Sequence, residues 1–210
     1  IQQAWHRIKP LLLGTAYYKT DAVIDRFLLY PASSGSLSLY YLAQQIYGSF
    51  SQVLNKAIAA PLVPVLSRLH KIGDRTGFRR AYNRKLLAVG MLSLTGLLAL
   101  GLIGEGALTP FLGQGNFSNG HIVQLWWILI WLGGMFIGGS MGQICSSSFY
   151  ACGDTITPTR ISILTYTVYI PSKAVVFFLW GVPGLAIATS VYYLVNLFLL
   201  LFLLSKKPVE

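Results

Sequence analysis

Six charged side chains, Lys19, Asp21, Asp25, Arg26, Lys56 and Lys173, lie inside stretches that are otherwise apolar enough to cross a membrane. A charge at the centre of a bilayer costs at least about 2.5–3.5 kcal/mol, so such groups face a protein interior or a wet cavity. Four of the six crowd between Lys19 and Arg26. At about 100° per helical residue, Asp21 and Asp25 fall within roughly 40° of each other, while Lys19 and Arg26 fall within roughly 20° of each other on nearly the opposite side. One edge of this segment is therefore acidic and another basic, and both cannot face lipid. Carboxylates in such a place can pair with a lysine or bind a coupling ion. Cations there can meet an anionic head group.

A second stretch continues the theme. Tyr41, Gln45, Ser49, Gln52 and Lys56 lie within about 80° of arc, a polar stripe four turns long with Asn55 beside it. Such a stripe suits a helix lining a hydrated chamber. Three readings of Lys56 stand side by side: an ion pair with Asp25 or Asp21, a cation facing the cavity, or a side chain that snorkels to the interface. Lys173 follows Pro171, which suggests a kinked helix with the lysine tied to a freed carbonyl.

Other chemistry has little support. His6, His70 and His121 form no metal-ligand cluster, and nothing calls for a cofactor. A nucleophile elbow, a phosphate-cradling loop and a carboxylate pair with a companion histidine are all missing, which argues against an enzyme. Asp74, Glu105 and Asp154 are the acids left for a membrane-embedded transferase, and none has a partner in the sequence. Cys145 and Cys152 sit seven residues apart, about 10 Å of helical rise and too far for a disulfide.

The elements that must position these groups are membrane spans. The 210 residues are 54% hydrophobic and only 10% charged, against about 25% charged in a soluble domain. Six apolar segments can be marked, at about 10–30, 37–66, 86–104, 122–150, 161–180 and 184–204. A crossing needs about 20 residues, so the second and fourth must tilt, bend or project, and Pro61 and Pro64 supply a bend in the second. The expected fold is an all-α integral membrane bundle of six transmembrane helices. With a cytoplasmic N-terminus, 12 of the 16 basic residues lie inside, as the positive-inside rule requires, and both termini are cytoplasmic. The net charge of +10 thus belongs to juxtamembrane anchors for membrane lipids, and no nucleic acid is implied. Within 68–85, seven basic residues accompany one acid, Asp74; Gly73-Asp74 and Gly77 suggest a turn and then a short helix on the inner membrane surface. Gly134, Gly138 and Gly142 mark a helix-packing seam.

Four pieces of the chain carry a resemblance: Asp25-Arg26 with 35–41 (Gly-Ser-Leu-Ser-Leu-Tyr-Tyr), 59–67 (Ala-Ala-Pro-Leu-Val-Pro-Val-Leu-Ser), 111–118 (Phe-Leu-Gly-Gln-Gly-Asn-Phe-Ser) and 149–158 (Phe-Tyr-Ala-Cys-Gly-Asp-Thr-Ile-Thr-Pro). In this order they resemble the second six-helix lobe of the MviN/MurJ branch of the MOP flippases. The resemblance implies one lobe of a two-lobe transporter in the bacterial cytoplasmic (inner) membrane, carrying a polyprenyl-pyrophosphate-linked, lipid II-like precursor by alternating access. The partners are then a lipid-linked oligosaccharide and an N-terminal lobe. Arg26, Lys56, Gln45, Gln52 and Asn55 become substrate-binding candidates. Asp21, Asp25 and Lys19 become coupling or ion-pair residues. Gln44-Gln45 stand where the lipid II flippases carry an Asp-Arg pair, so Lys56 or Arg26 supplies the charge instead. A chain that begins at Ile1 is expected to be a fragment lacking that first lobe, without the two further helices of the namesake. The alternatives are a cation-coupled small-molecule exporter on the same scaffold and, from another class, a structural membrane subunit.

Overall fold

The computed structural model describes Tyr17 and residues 20–30, 35–112 and 119–206. It is helical, with no strand among the described residues. The main helices are α1 (Thr20–Leu29), α2 (Ser36–Leu54), α3 (Ala60–Lys71), α4 (Arg75–Ile103), α5 (Asn119–Trp131) and α6 (Gly133–Ala151), with two short helical turns, Gly104–Ala107 and Thr109–Leu112, after α4; the stretch Ile156–Lys206 follows. That last stretch is divided at Gly181, φ 62° and ψ −144°, a conformation that a side chain would strain. Its halves are α7 (156–180) and α8 (182–206). Pro183 falls in the first turn of α8, where an N–H would have no helical partner. By length and apolarity Arg75–Ile103 and Ile156–Lys206 can each cross a membrane, and α5 with α6 makes a third candidate bent by 43°.

Each departure from a straight helix has a local cause. Between α2 and α3 the chain forms a π-turn, Asn55–Ala59, in which the Ala60 N–H donates to the Asn55 carbonyl. Pro61 has no N–H to continue the α register, so the wider turn takes up the mismatch. The break between α5 and α6 is held open by Ser190 of α8. Its hydroxyl donates to the Trp131 carbonyl at 2.5 Å and accepts from the Met135 N–H at 3.2 Å. Those two backbone groups would otherwise bond to each other, so a side chain has entered the helical ladder.

One expected element is absent. The basic stretch after Gly73 forms no separate surface helix; it is the start of α4, which runs 29 residues without a break. Asp74 caps it by accepting from the Gly77 N–H at 2.8 Å, so Gly77 sits in a capped first turn where its lack of a side chain does not interrupt the helix. Phe78 and Tyr82 turn into the core at 3% and 8% exposure, which docks the segment on the bundle rather than on lipid.

The core is layered. One apolar cluster joins Leu39, Tyr47, Leu129, Phe136, Phe177 and Leu185. A second joins Leu66, Phe78, Ile144, Phe149, Ile161 and Leu197. Along α7, Thr165, Tyr166, Tyr169 and Lys173 fall between residues of the two clusters; along α8, Thr189 and Ser190 do, and along α6, Ser140. A polar layer is thus sandwiched at mid-depth. The glycine seam holds α6 against α8: a Cβ on Gly138 would sit 2.7 Å from the Tyr193 backbone, and one on Gly134 2.7 Å from Ser190 Cβ. Gly142 departs from the seam, since a Cβ there would meet nothing within 4 Å.

Candidate functional site

The polar layer is built around Lys173. Its ammonium is fully buried, lies 2.6 Å from Asp21 Oδ1 and forms a second ion pair with Asp25. Exposure of the two carboxylates differs, at 29% for Asp21 and 1% for Asp25. The acidic edge of α1 therefore faces α7, and the ion-pair partner is neither Lys56 nor a carbonyl freed by Pro171. The ammonium also stands 5.0 Å from the centre of the Tyr169 ring, a cation–π distance.

Hydroxyls extend this cluster. Tyr169 and Tyr40 both reach the Thr189 hydroxyl, at 2.7 and 3.0 Å, and Thr189 donates to the Leu185 carbonyl. At the start of α1, Thr20 shares a hydrogen bond with Tyr166 at 3.0 Å, and Tyr17 with Thr167 at 3.1 Å. α1 is thus tied to α7 by polar contacts through Thr20, Asp21 and Asp25. Sequence reasoning missed these tyrosines. A signal existed, because tyrosines in membrane spans normally gather at the interfaces, and Tyr166 and Tyr169 fall well inside the apolar stretch 161–180.

The basic edge turns the other way. Arg26 is exposed, and so are Gln45, Ser49, Gln52 and Lys56 along α2, with Asn55 half-buried. Tyr41, at the head of the stripe, donates to the Ala22 carbonyl at 2.8 Å, and Ala22 and Arg26 lie one helical turn apart on α1. The stripe and Arg26 therefore share one open surface. Lys56 sits in the π-turn at the far end, 15 residues beyond Tyr41 and so about 22 Å along the helix. Lys19 lies outside the described residues. Of the acids weighed for a transferase, Asp74 caps α4, and Asp154 accepts from the Thr157 N–H and hydroxyl at the start of α7.

Behind α1 opens a cavity of about 340 Å³, lined by Asp21, Gln143, Tyr166, Tyr192, Tyr193 and Asn196, among others, with Gly138, Gly139 and Gly142 in its wall.

A family model described as "Lipid II flippase MurJ" matches residues 1–209. The chain belongs to the MurJ lipid II flippase family. Its relatives include "Probable lipid II flippase MurJ" of Vibrio cholerae, 25% identical over 91% of this chain and 36% of that protein. A protein of the same name in Bdellovibrio bacteriovorus is 22% identical over 94% of this chain and 38% of its own length. A solved structure, "Lipid II flippase MurJ, inward closed conformation", superposes with a TM-score of 0.76 at 20% identity, covering 95% of this chain and 42% of that one. The MurJ match and the apolar helices identify a helical membrane protein of the bacterial inner membrane. The chain spans under two fifths of the length of these two MurJ relatives.

Proposed function

We propose that this chain is one lobe of a flippase that moves a polyprenyl-pyrophosphate-linked, lipid II-like precursor across the bacterial inner membrane, with both termini in the cytoplasm. A single lobe cannot alternate access by itself; the scaffold needs a second lobe rocking against it. The reading makes the molecule a transporter and not an enzyme. The observation that carries it, beside family membership, is the open surface shared by Arg26 and the α2 stripe: two cations and a row of amides exposed where lipid would otherwise be met.

Lys56 lies about 22 Å along the stripe from Tyr41, the residue that meets α1 beside Arg26, so the two cations are too far apart to clamp one pyrophosphate together. They act in succession as charge-assisted partners, Lys56 toward the cytoplasmic end and Arg26 toward the outer end. Gln45, Gln52 and Asn55 supply hydrogen bonds between them. Asp21 and Asp25, two carboxylates for one ammonium, form the coupling element that holds or releases α1.

The test is translocation of a fluorescent polyprenyl-pyrophosphate glycolipid in vesicles containing the full-length transporter. Changing Arg26→Gln together with Lys56→Gln should slow translocation by about tenfold or more, as expected for loss of charge-assisted phosphate contacts. Unchanged translocation in that double variant would reject the assignment.

The excess carboxylate also favours a second reading, a cation-coupled exporter of small molecules. It predicts transport lost in Asp21→Asn and Asp25→Asn but retained when Arg26 and Lys56 are neutralised.

A further inference from the structure

The cavity behind α1 is chemically unlike the open surface. Among its described lining residues the only charged side chain is Asp21, and that carboxylate already faces the Lys173 ammonium at 2.6 Å. A phosphate would be repelled there, and a bare metal cation would stand beside a fixed ammonium. An acyl chain would leave the amides and hydroxyls of the wall without partners, at a cost of about 1–3 kcal/mol each.

What remains is a neutral ligand rich in hydroxyl and amide groups. Two half-buried tyrosines, Tyr192 and Tyr193, offer ring surface, with the buried Tyr166 behind them, and Tyr192 is held by stacking on Tyr169 at 4.6 Å between centroids. The amide of Asn196 is oriented, since its Nδ2 donates to Ser162 Oγ at 3.1 Å and to Thr165 Oγ1 at 3.3 Å. Its carbonyl oxygen is left as an acceptor. Gln143, exposed at the mouth, brings a whole amide, and Ser146 a hydroxyl. Aromatic faces with fixed amides are the pairing that sugar rings require: C–H faces lie against the rings while hydroxyls meet the amides. The volume falls in the range of about 300–1,000 Å³ usual for small-ligand pockets. Gly142 keeps the floor open, since a side chain there would extend into empty space.

We propose that this cavity is a carbohydrate-binding subsite for a neutral hexose or N-acetylhexosamine, separate from the cationic surface of Arg26 and Lys56. Its physiological ligand rests on the flippase reading; its chemistry does not.

The test is saturation-transfer NMR on the full-length protein in lipid nanodiscs, with N-acetylglucosamine, glucose and inorganic pyrophosphate as probes. Transfer is expected from the protein to one or both sugars, and Gly142→Leu, which starts a side chain where a Cβ meets nothing within 4 Å and extends it into the cavity, should lower it by about tenfold. An unshifted unfolding temperature shows that this variant is folded; if it does not fold, Gln143→Ala replaces it with the same expectation. No transfer to either sugar in the unaltered protein, or undiminished transfer in the folded variant, overturns the proposal. Binding of sugar-free polyprenyl pyrophosphate, and its loss in Arg26→Gln with Lys56→Gln, tests the flippase reading separately, so either can fail alone.

Discussion

A lysine shared by two carboxylates is the most consequential arrangement at the residue scale. Lys173 and Asp25 are almost fully withdrawn from solvent, so their pairing is judged by what its loss would leave behind. Lys173→Met strands two carboxylates in the polar layer, and removing one partner of a buried pair costs about 3–5 kcal/mol. The unfolding temperature in detergent should fall clearly, and adding Asp25→Asn should restore part of it. No restoration would mean that the carboxylates find other partners. That Asp21 and Asp25 share a helix edge was legible from their four-residue spacing. Their partner was not, because it lies 152 residues away and a sequence offers Lys173 only its neighbours, among them the carbonyl that Pro171 frees.

Elements fail or hold at their breaks. Ser190 satisfies both backbone groups opened between α5 and α6. Ser190→Ala should therefore destabilise by about 1–3 kcal/mol for each group left unmade, measured by thermal unfolding; Ser190→Thr, which keeps the hydroxyl, should cost less. The glycines of α6 separate in the same assay. Gly138→Ala drives a methyl into the α8 backbone and should cost about 1–3 kcal/mol. Gly142→Ala enters open space and should be neutral or stabilising by up to about 1 kcal/mol through helix propensity. Small-residue spacing revealed the seam but not where it ends, because the divergence of α6 from α8 depends on both helices. Gly77 misled for a related reason: a glycine reads as a breaker until the Asp74 cap places it in a first turn. The division of the last apolar run into α7 and α8 was legible because Gly181 and Pro183 interrupt it together.

For the whole molecule, the layered core sets what each surface meets. Phe178 of α7 is 78% exposed and Gln52 of α2 is exposed as well, yet only the second belongs to the polar surface. In a Cys152→Ser background, a cysteine replacing Gln52 should react with a hydrophilic, membrane-impermeant thiol reagent in the full-length protein, and one replacing Phe178 should not. Equal reactivity would remove the hydrated chamber. The 152-residue separation between Asp21 and Lys173 also bears on how the chain is made. At about 5–20 residues per second, Asp21 and Asp25 leave the ribosome roughly 8–30 s before the ammonium that neutralises them. A helix carrying its own uncompensated charges is a poor candidate for release into lipid at that moment. α1 must wait, sheltered by the insertion machinery or lying at the interface, until α7 arrives, so the first helix described here is among the last to be seated.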